Sequence, residues 1–127
     1  MFFPDLSRYT YTETGENVVN VGWLAAGAPM RIGEVDQIVR DELARMAREP
    51  TNLMRGFHYC DFCDAESPIV AFASDAPSTP AYLGSGEVRV EAGDIVYAAP
   101  TLIVHYIDAH GYLPPEEFIE AVAQLAT

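Results

Sequence analysis

The sequence predicts an α+β domain, and three observations carry that prediction. Segments rich in β-branched and aromatic residues come early and recur mid-chain, one long amphipathic stretch lies between them, and two further helical segments close the chain. The elements do not alternate as strand, helix, strand, so a doubly wound parallel sheet is disfavoured. The expected architecture is a small, mostly antiparallel sheet of about four or five strands packed with one central helix and two C-terminal helices. With 127 residues, half of them hydrophobic, the chain is read as a single domain, 1–127, able to bury a core without disulfide staples.

Taken in order, Asn17 to Leu24 (NVVNVGWL) reads as the first strand and stops at Ala25-Ala26-Gly27-Ala28-Pro29. From Glu34 to Arg48, Val35, Ile38, Val39, Leu43 and Met46 recur at helical spacing, with Asp36, Arg40, Asp41, Arg45 and Arg48 facing elsewhere. Glu34 and Asp36 place acids in the first turn, the arginines gather in the last turns, and Pro50 ends the helix. Leu53 to Cys60 and Ile69 to Ala73 read as strands, and Asp75 to Pro80 as loop.

Glu87 to Glu91 alternates polar and apolar, Ala92-Gly93 supplies a turn, and Asp94 to Ala98 returns, which predicts a β-hairpin. After Pro100, residues 101–111 fit a short helix closed by Gly111 in the left-handed conformation. Pro114-Pro115-Glu116-Glu117 then opens a last helix with Phe118, Ile119, Val122 and Leu125 as its buried stripe.

Nineteen acidic residues against seven basic ones give a net charge of −12, a field that repels phosphate backbones and anionic headgroups. Nucleic acid is therefore excluded as a partner at this stage, and a basic protein is the partner such a surface attracts. No apolar run reaches the roughly 20 residues of a membrane-spanning helix. The N-terminal stretch Met1 to Leu6 has no basic residue and lacks the charge order of a secretory signal, so the expected compartment is the cytoplasm. A reducing compartment makes Cys60 and Cys63 thiols or metal ligands rather than a disulfide.

Every cysteine and histidine of the chain lies in two segments, His58-Tyr59-Cys60-Asp61-Phe62-Cys63 and His105-Tyr106-Ile107-Asp108-Ala109-His110. A Cys-x-x-Cys turn lets two thiolates converge on one ion, and thiolate with imidazole suits zinc. The 41 residues between Cys63 and His105 carry no zinc-finger spacing, so the fold must bring the segments together. Cys60, Cys63 and His105 are the leading ligands. His58 shares a strand face with Cys60, and His110 comes last because two helical positions five apart point about 140° away from each other. The alternative is plainer: buried free thiols and hydrogen-bonded histidines.

A redox pair is disfavoured, since no helix is predicted after Cys60 to lower its pKa. A zinc deaminase lacks its His-x-Glu segment here. If three ligands left an open position, Asp61, Glu66 or Glu87 would be the bases a metalloenzyme could use, and the spacing selects none of them.

Two resemblances accompany this reading. Gly93-Asp94-Ile95-Val96-Tyr97-Ala98-Ala99-Pro100 followed by His105 resembles the second cupin motif, and Gly56-Phe57-His58-Tyr59-Cys60 matches the first in part, with Cys60 where its second histidine stands. That resemblance implies a barrel and metal ligation by His58 and His105. It departs in one extra residue before Pro100, in the absence of the motif glycine from 101–103, and in the helical pattern of 101–126. Separately, Arg55 to Cys63 and Ala99 to Val122 resemble segments of a family of short bacterial proteins of unknown function. This supports treating the two Cys/His segments as one site. The expected function is a zinc-binding regulatory or immunity-type module, and the alternative is a small metalloenzyme, possibly cupin-like.

Overall fold

The computed structural model describes residues 2–8, 17–51, 59–66 and 68–126. Within them the order is β1 (Asn17–Asn20), α1 (Gln37–Ala47), β2 (Ile69–Ala71), β3 (Ala81–Leu83), β4 (Glu87–Ala92), β5 (Ile95–Pro100), α2 (Ile103–His110) and α3 (Glu116–Leu125). The fold class is α+β. The strand expected over Leu53 to Cys60 falls mostly outside the described residues, and Tyr59 and Cys60 themselves are not in a strand.

The strands form two sheets rather than one. The predicted hairpin is present, with β4 antiparallel to β5 from Glu87↔Pro100 to Ala92↔Ile95, and Gly93 supplies the positive φ of 62° its turn requires. β1 lies on the other side of β5 and runs parallel to it, pairing Val18 with Val96 and Asn20 with Ala98. Parallel neighbours cannot be joined by a tight turn, so β1 reaches its place across 74 intervening residues, beyond any local pattern. β2 and β3 form a separate antiparallel pair, with Val70 opposite Tyr82. β3 is three residues long, too short to show a period in the sequence.

The edge of β1 is covered by the chain's own beginning. Leu6 N–H donates to Asn20 O, Asn20 N–H to Ser7 O, and Phe3 N–H to Trp23 O. Asp5 anchors this segment to the far end of the chain, accepting from the Tyr112 hydroxyl at 2.8 and 2.9 Å and from the Gly22 amide at 2.9 Å. Tyr112 is fully buried, and burial, reinforced by Asp5, pushes its hydroxyl pKa far up, so it serves as a permanent donor.

Helix α1 departs from its predicted face. It begins at Gln37 behind Asp36, so Glu34 and Asp36 precede it and its first turn holds no acid. Its buried side chains are Val39, Asp41, Leu43, Ala44 and Ala47, while Ile38 is 61% exposed. Ile38 lies about 140° around the helix from Leu43, so a face centred on Leu43 leaves it in solvent.

Asp41, expected outside, is 9% exposed. The loop after β2 closes over it: Ser74 donates both its amide and its hydroxyl at 3.1 Å, Gln37 donates at 3.0 Å and Arg40 at 3.1 Å. Burial alone would raise the Asp41 pKa, but these donors together outweigh it and hold the carboxyl below its ordinary value. A carboxylate with a depressed folded pKa stabilises the fold above its unfolded pKa and loses that contribution as pH falls through the folded value. Asp41→Asn is therefore expected to cost about 1–3 kcal/mol near neutral pH. The gap between wild type and variant should close below about pH 4. Urea midpoints of both proteins at matched pH test this, and a gap that persists at low pH would exclude the charged form as its source.

Arg40 extends this network to the site. Its guanidinium grips Asp108 of α2 through Nε and Nη2, the shortest contact being 2.7 Å, and Nη1 donates to the carbonyl of Phe72. The hydrogen-bonded Asp108 carboxylate, helped by Asp41, raises the Arg40 pKa above its already high value against the opposing effect of burial. One arginine thus joins α1, α2 and the end of β2, and fixes the helix that carries His105 and His110.

Helices α2 and α3 follow the reading closely. Ile103 and Val104 bury the β-branched start of α2, and Gly111, at φ 67°, closes it. In α3, Phe118, Ala121 and Val122 are buried behind Glu116 and Glu117, but Leu125, placed in the stripe by its spacing, is 50% exposed in the last turn. These two helices occupy the region where a cupin barrel would continue in strands, and the described strands make a three-stranded and a two-stranded sheet. The cupin expectation is corrected accordingly.

Candidate metal centre

Residues 59–66 contain no helix or strand; residues 61 and 62 make a turn that presents Cys60 and Cys63 toward α2. The Phe62 amide donates to Cys60 Sγ at 3.4 Å, which holds the turn closed on its first sulfur. The Phe62 ring seats the turn on the helix, edge-on to Tyr106 at 5.8 Å and tilted against His110 at 5.4 Å between centroids. Tyr106 is buried there, and burial, then Cys60 and Asp61, push its hydroxyl pKa well up.

Across this contact the donors pair off. Cys60 Sγ lies 3.4 Å from His110 Nε2, and Cys63 Sγ lies 3.3 Å from His105 Nε2. The ligand atoms of all four residues lie within 4.8 Å of one another. In a tetrahedral site with metal–sulfur bonds near 2.3 Å and metal–nitrogen bonds near 2.0–2.1 Å, adjacent sulfur and nitrogen atoms stand about 3.6 Å apart. The two observed pairs, at 3.4 and 3.3 Å, lie close to and slightly under that edge length.

Electrostatics agree with this chemistry. Burial, then the neighbouring His110, lower the His105 pKa against the opposing pull of Asp108, which favours the neutral imidazole a metal requires. Burial raises the Cys60 pKa, against the donated Phe62 amide, so a cation that takes the thiolate must displace its proton. Both rings direct Nε2 at the sulfurs, and Nε2 is the atom through which they would hold an ion.

Of the sequence-derived candidates, Cys60, Cys63, His105 and His110 are brought together, and His58 lies outside the described residues. His110, ranked last on helical angle, stands beside Cys60 because α2 ends at that residue and the Cys turn packs on the helix end. The wheel angle takes no account of imidazole reach or of where the partner sits. Asp61 and Glu66 are exposed beside the turn, and Glu66 lines a cleft of about 540 Å³ with Tyr59, Cys60, Cys63, Asp64 and Ala65. Glu87 is elsewhere, 1% exposed at the start of β4 and paired with Arg89 at 3.3 Å. No helix follows the Cys turn among the described residues, as expected from the sequence.

An α+β chain in which a Cys-x-x-Cys turn meets two helix-borne histidines defines a domain with a possible Cys2His2 metal site. The chain belongs to the family described as Domain of unknown function (DUF7919), whose model matches residues 1–123. Neither a curated protein nor a solved structure matches it. Among the described residues, no helix is long and apolar enough to cross a membrane.

Proposed function

We propose that this protein is a small zinc-stabilised binding module of the regulatory or immunity type, in which the ion fastens the Cys turn to α2. The observation that carries the reading is the convergence of four donors, two sulfur and two nitrogen, within 4.8 Å. Two thiolates and two imidazoles match the preferences of zinc, and four protein ligands close a tetrahedral shell in the manner of structural sites. A catalytic site keeps a position for water, which ranks the metalloenzyme reading second. A reducing compartment such as the cytoplasm keeps both cysteines available for the ion.

The partner we propose is a basic protein. The net charge of −12 supports it, as do the exposed Asp61, Asp64 and Glu66 surrounding the Cys turn, and the same charge disfavours nucleic acid. Such an association should weaken as salt is raised and the Debye length contracts to about 8 Å at physiological ionic strength. Binding indifferent to salt would remove the electrostatic argument.

Metal analysis of the purified protein tests the centre directly. One zinc per chain is expected for the wild type, with large losses of bound zinc in Cys60→Ser, His105→Ala and His110→Ala. Zinc absent from the wild type after growth and dialysis in zinc-containing buffer would end this reading, and zinc unaffected by all three substitutions would place the ion elsewhere.

A further inference from the structure

Resting on that metal reading, we propose that Cys63 is the site at which small neutral hydroperoxides oxidise this protein, and that Cys60 then closes a disulfide that ejects the ion. The two sulfurs differ in the property that decides which reacts first. Cys63 is exposed, whereas Cys60 is 6% exposed and packed into the hydrophobic core. Both edge the open cleft formed with Tyr59, Asp64, Ala65 and Glu66, so a reagent entering from solvent meets Cys63 first. Cys60 Sγ lies within 4.8 Å of Cys63 Sγ, near enough to resolve an oxidised neighbour by side-chain rotation within the Cys-x-x-Cys turn.

The chemistry balances with hydrogen peroxide as the oxidant. The Cys63 thiolate attacks one peroxide oxygen; an S–O bond forms, the O–O bond breaks, and hydroxide leaves with the electron pair, so sulfur is oxidised by two electrons and peroxide is reduced. The Cys60 thiolate then attacks the Cys63 sulfenic sulfur; the S–S bond forms, the S–O bond breaks, and a second hydroxide leaves. Both hydroxides are neutralised by protons from the buffer, so two water molecules form. The ion is left with two imidazoles, half of its donors, and dissociates.

The acidic rim selects the oxidant. Asp61, Asp64 and Glu66 are exposed around Cys63, and their field disfavours anionic reagents relative to neutral ones of similar size. Oxidation also removes the bonds to the ion that hold the turn to α2, while the Phe62 ring contacts with Tyr106 and His110 remain.

The experiment treats zinc-loaded protein with hydrogen peroxide, following released zinc with a chromogenic chelator and disulfide by peptide mapping. Zinc release in step with a Cys60–Cys63 disulfide, reversed by a thiol reductant, is expected. In Cys60→Ser a sulfenic-acid trap should label residue 63. Because that variant alters the ion's ligands, wild-type protein is also mapped after brief exposure to a neutral alkylating reagent, where Cys63 should react about tenfold faster than Cys60. Bound zinc retained under peroxide, or Cys60 modified first, overturns the inference and leaves the metal reading standing. Protein that binds no zinc overturns both.

Discussion

Zinc-loaded protein is expected to melt at least about 10 °C above the same protein in excess chelator. A ligand present at a thousand times its dissociation constant stabilises the folded state by about 4 kcal/mol, and for a domain of this size each kcal/mol moves the midpoint by several degrees. The effect should be large here because residues 59–66 have no strand or helix of their own to hold them. Their attachment to α2 runs through the Cys60–His110 and Cys63–His105 pairs and the Phe62 ring. Scanning calorimetry with and without chelator checks this. Coincident transitions in protein that carries one zinc per chain would show the ion to be peripheral to stability, and would return the site to the catalytic reading.

Phe118→Ala is expected to cost about 3–5 kcal/mol, enough to leave a domain of this size barely folded. Phe118 is fully buried on α3 and meets Tyr97 of β5 edge-on at 5.7 Å, so truncation empties the junction between the last helix and the three-stranded sheet. Leu125→Ala, seven residues along the same predicted stripe, should change stability by no more than about 0.5 kcal/mol, since Leu125 is half exposed. Urea unfolding of the two variants side by side tests the contrast. Equal costs would mean that the end of α3 packs against something beyond the described contacts.

That pair also marks where sequence patterning stops. The period of Phe118, Ile119, Val122 and Leu125 identifies a helix and its general face, but whether its last turn meets the core depends on what lies opposite. The same holds for α1: helical spacing locates the element, but the spacing alone points Ile38 inward and Asp41 outward, the reverse of what the fold does. The loop at Ser74 reversed the second assignment by offering a carboxylate two hydrogen bonds.

Legible along the chain are the α+β class, the β4–β5 hairpin, the glycine closure of α2, the start of α3 and the gathering of all cysteine and histidine into two short segments. Each of these is encoded by neighbours within a few turns or one hairpin. Long-range packing sets the rest: β1 runs parallel beside β5, the described strands divide between two sheets, and His110 stands with Cys60, Cys63 and His105. Those outcomes join residues tens of positions apart, where the free energy lies in the fit between packed surfaces and leaves no periodic trace in the chain.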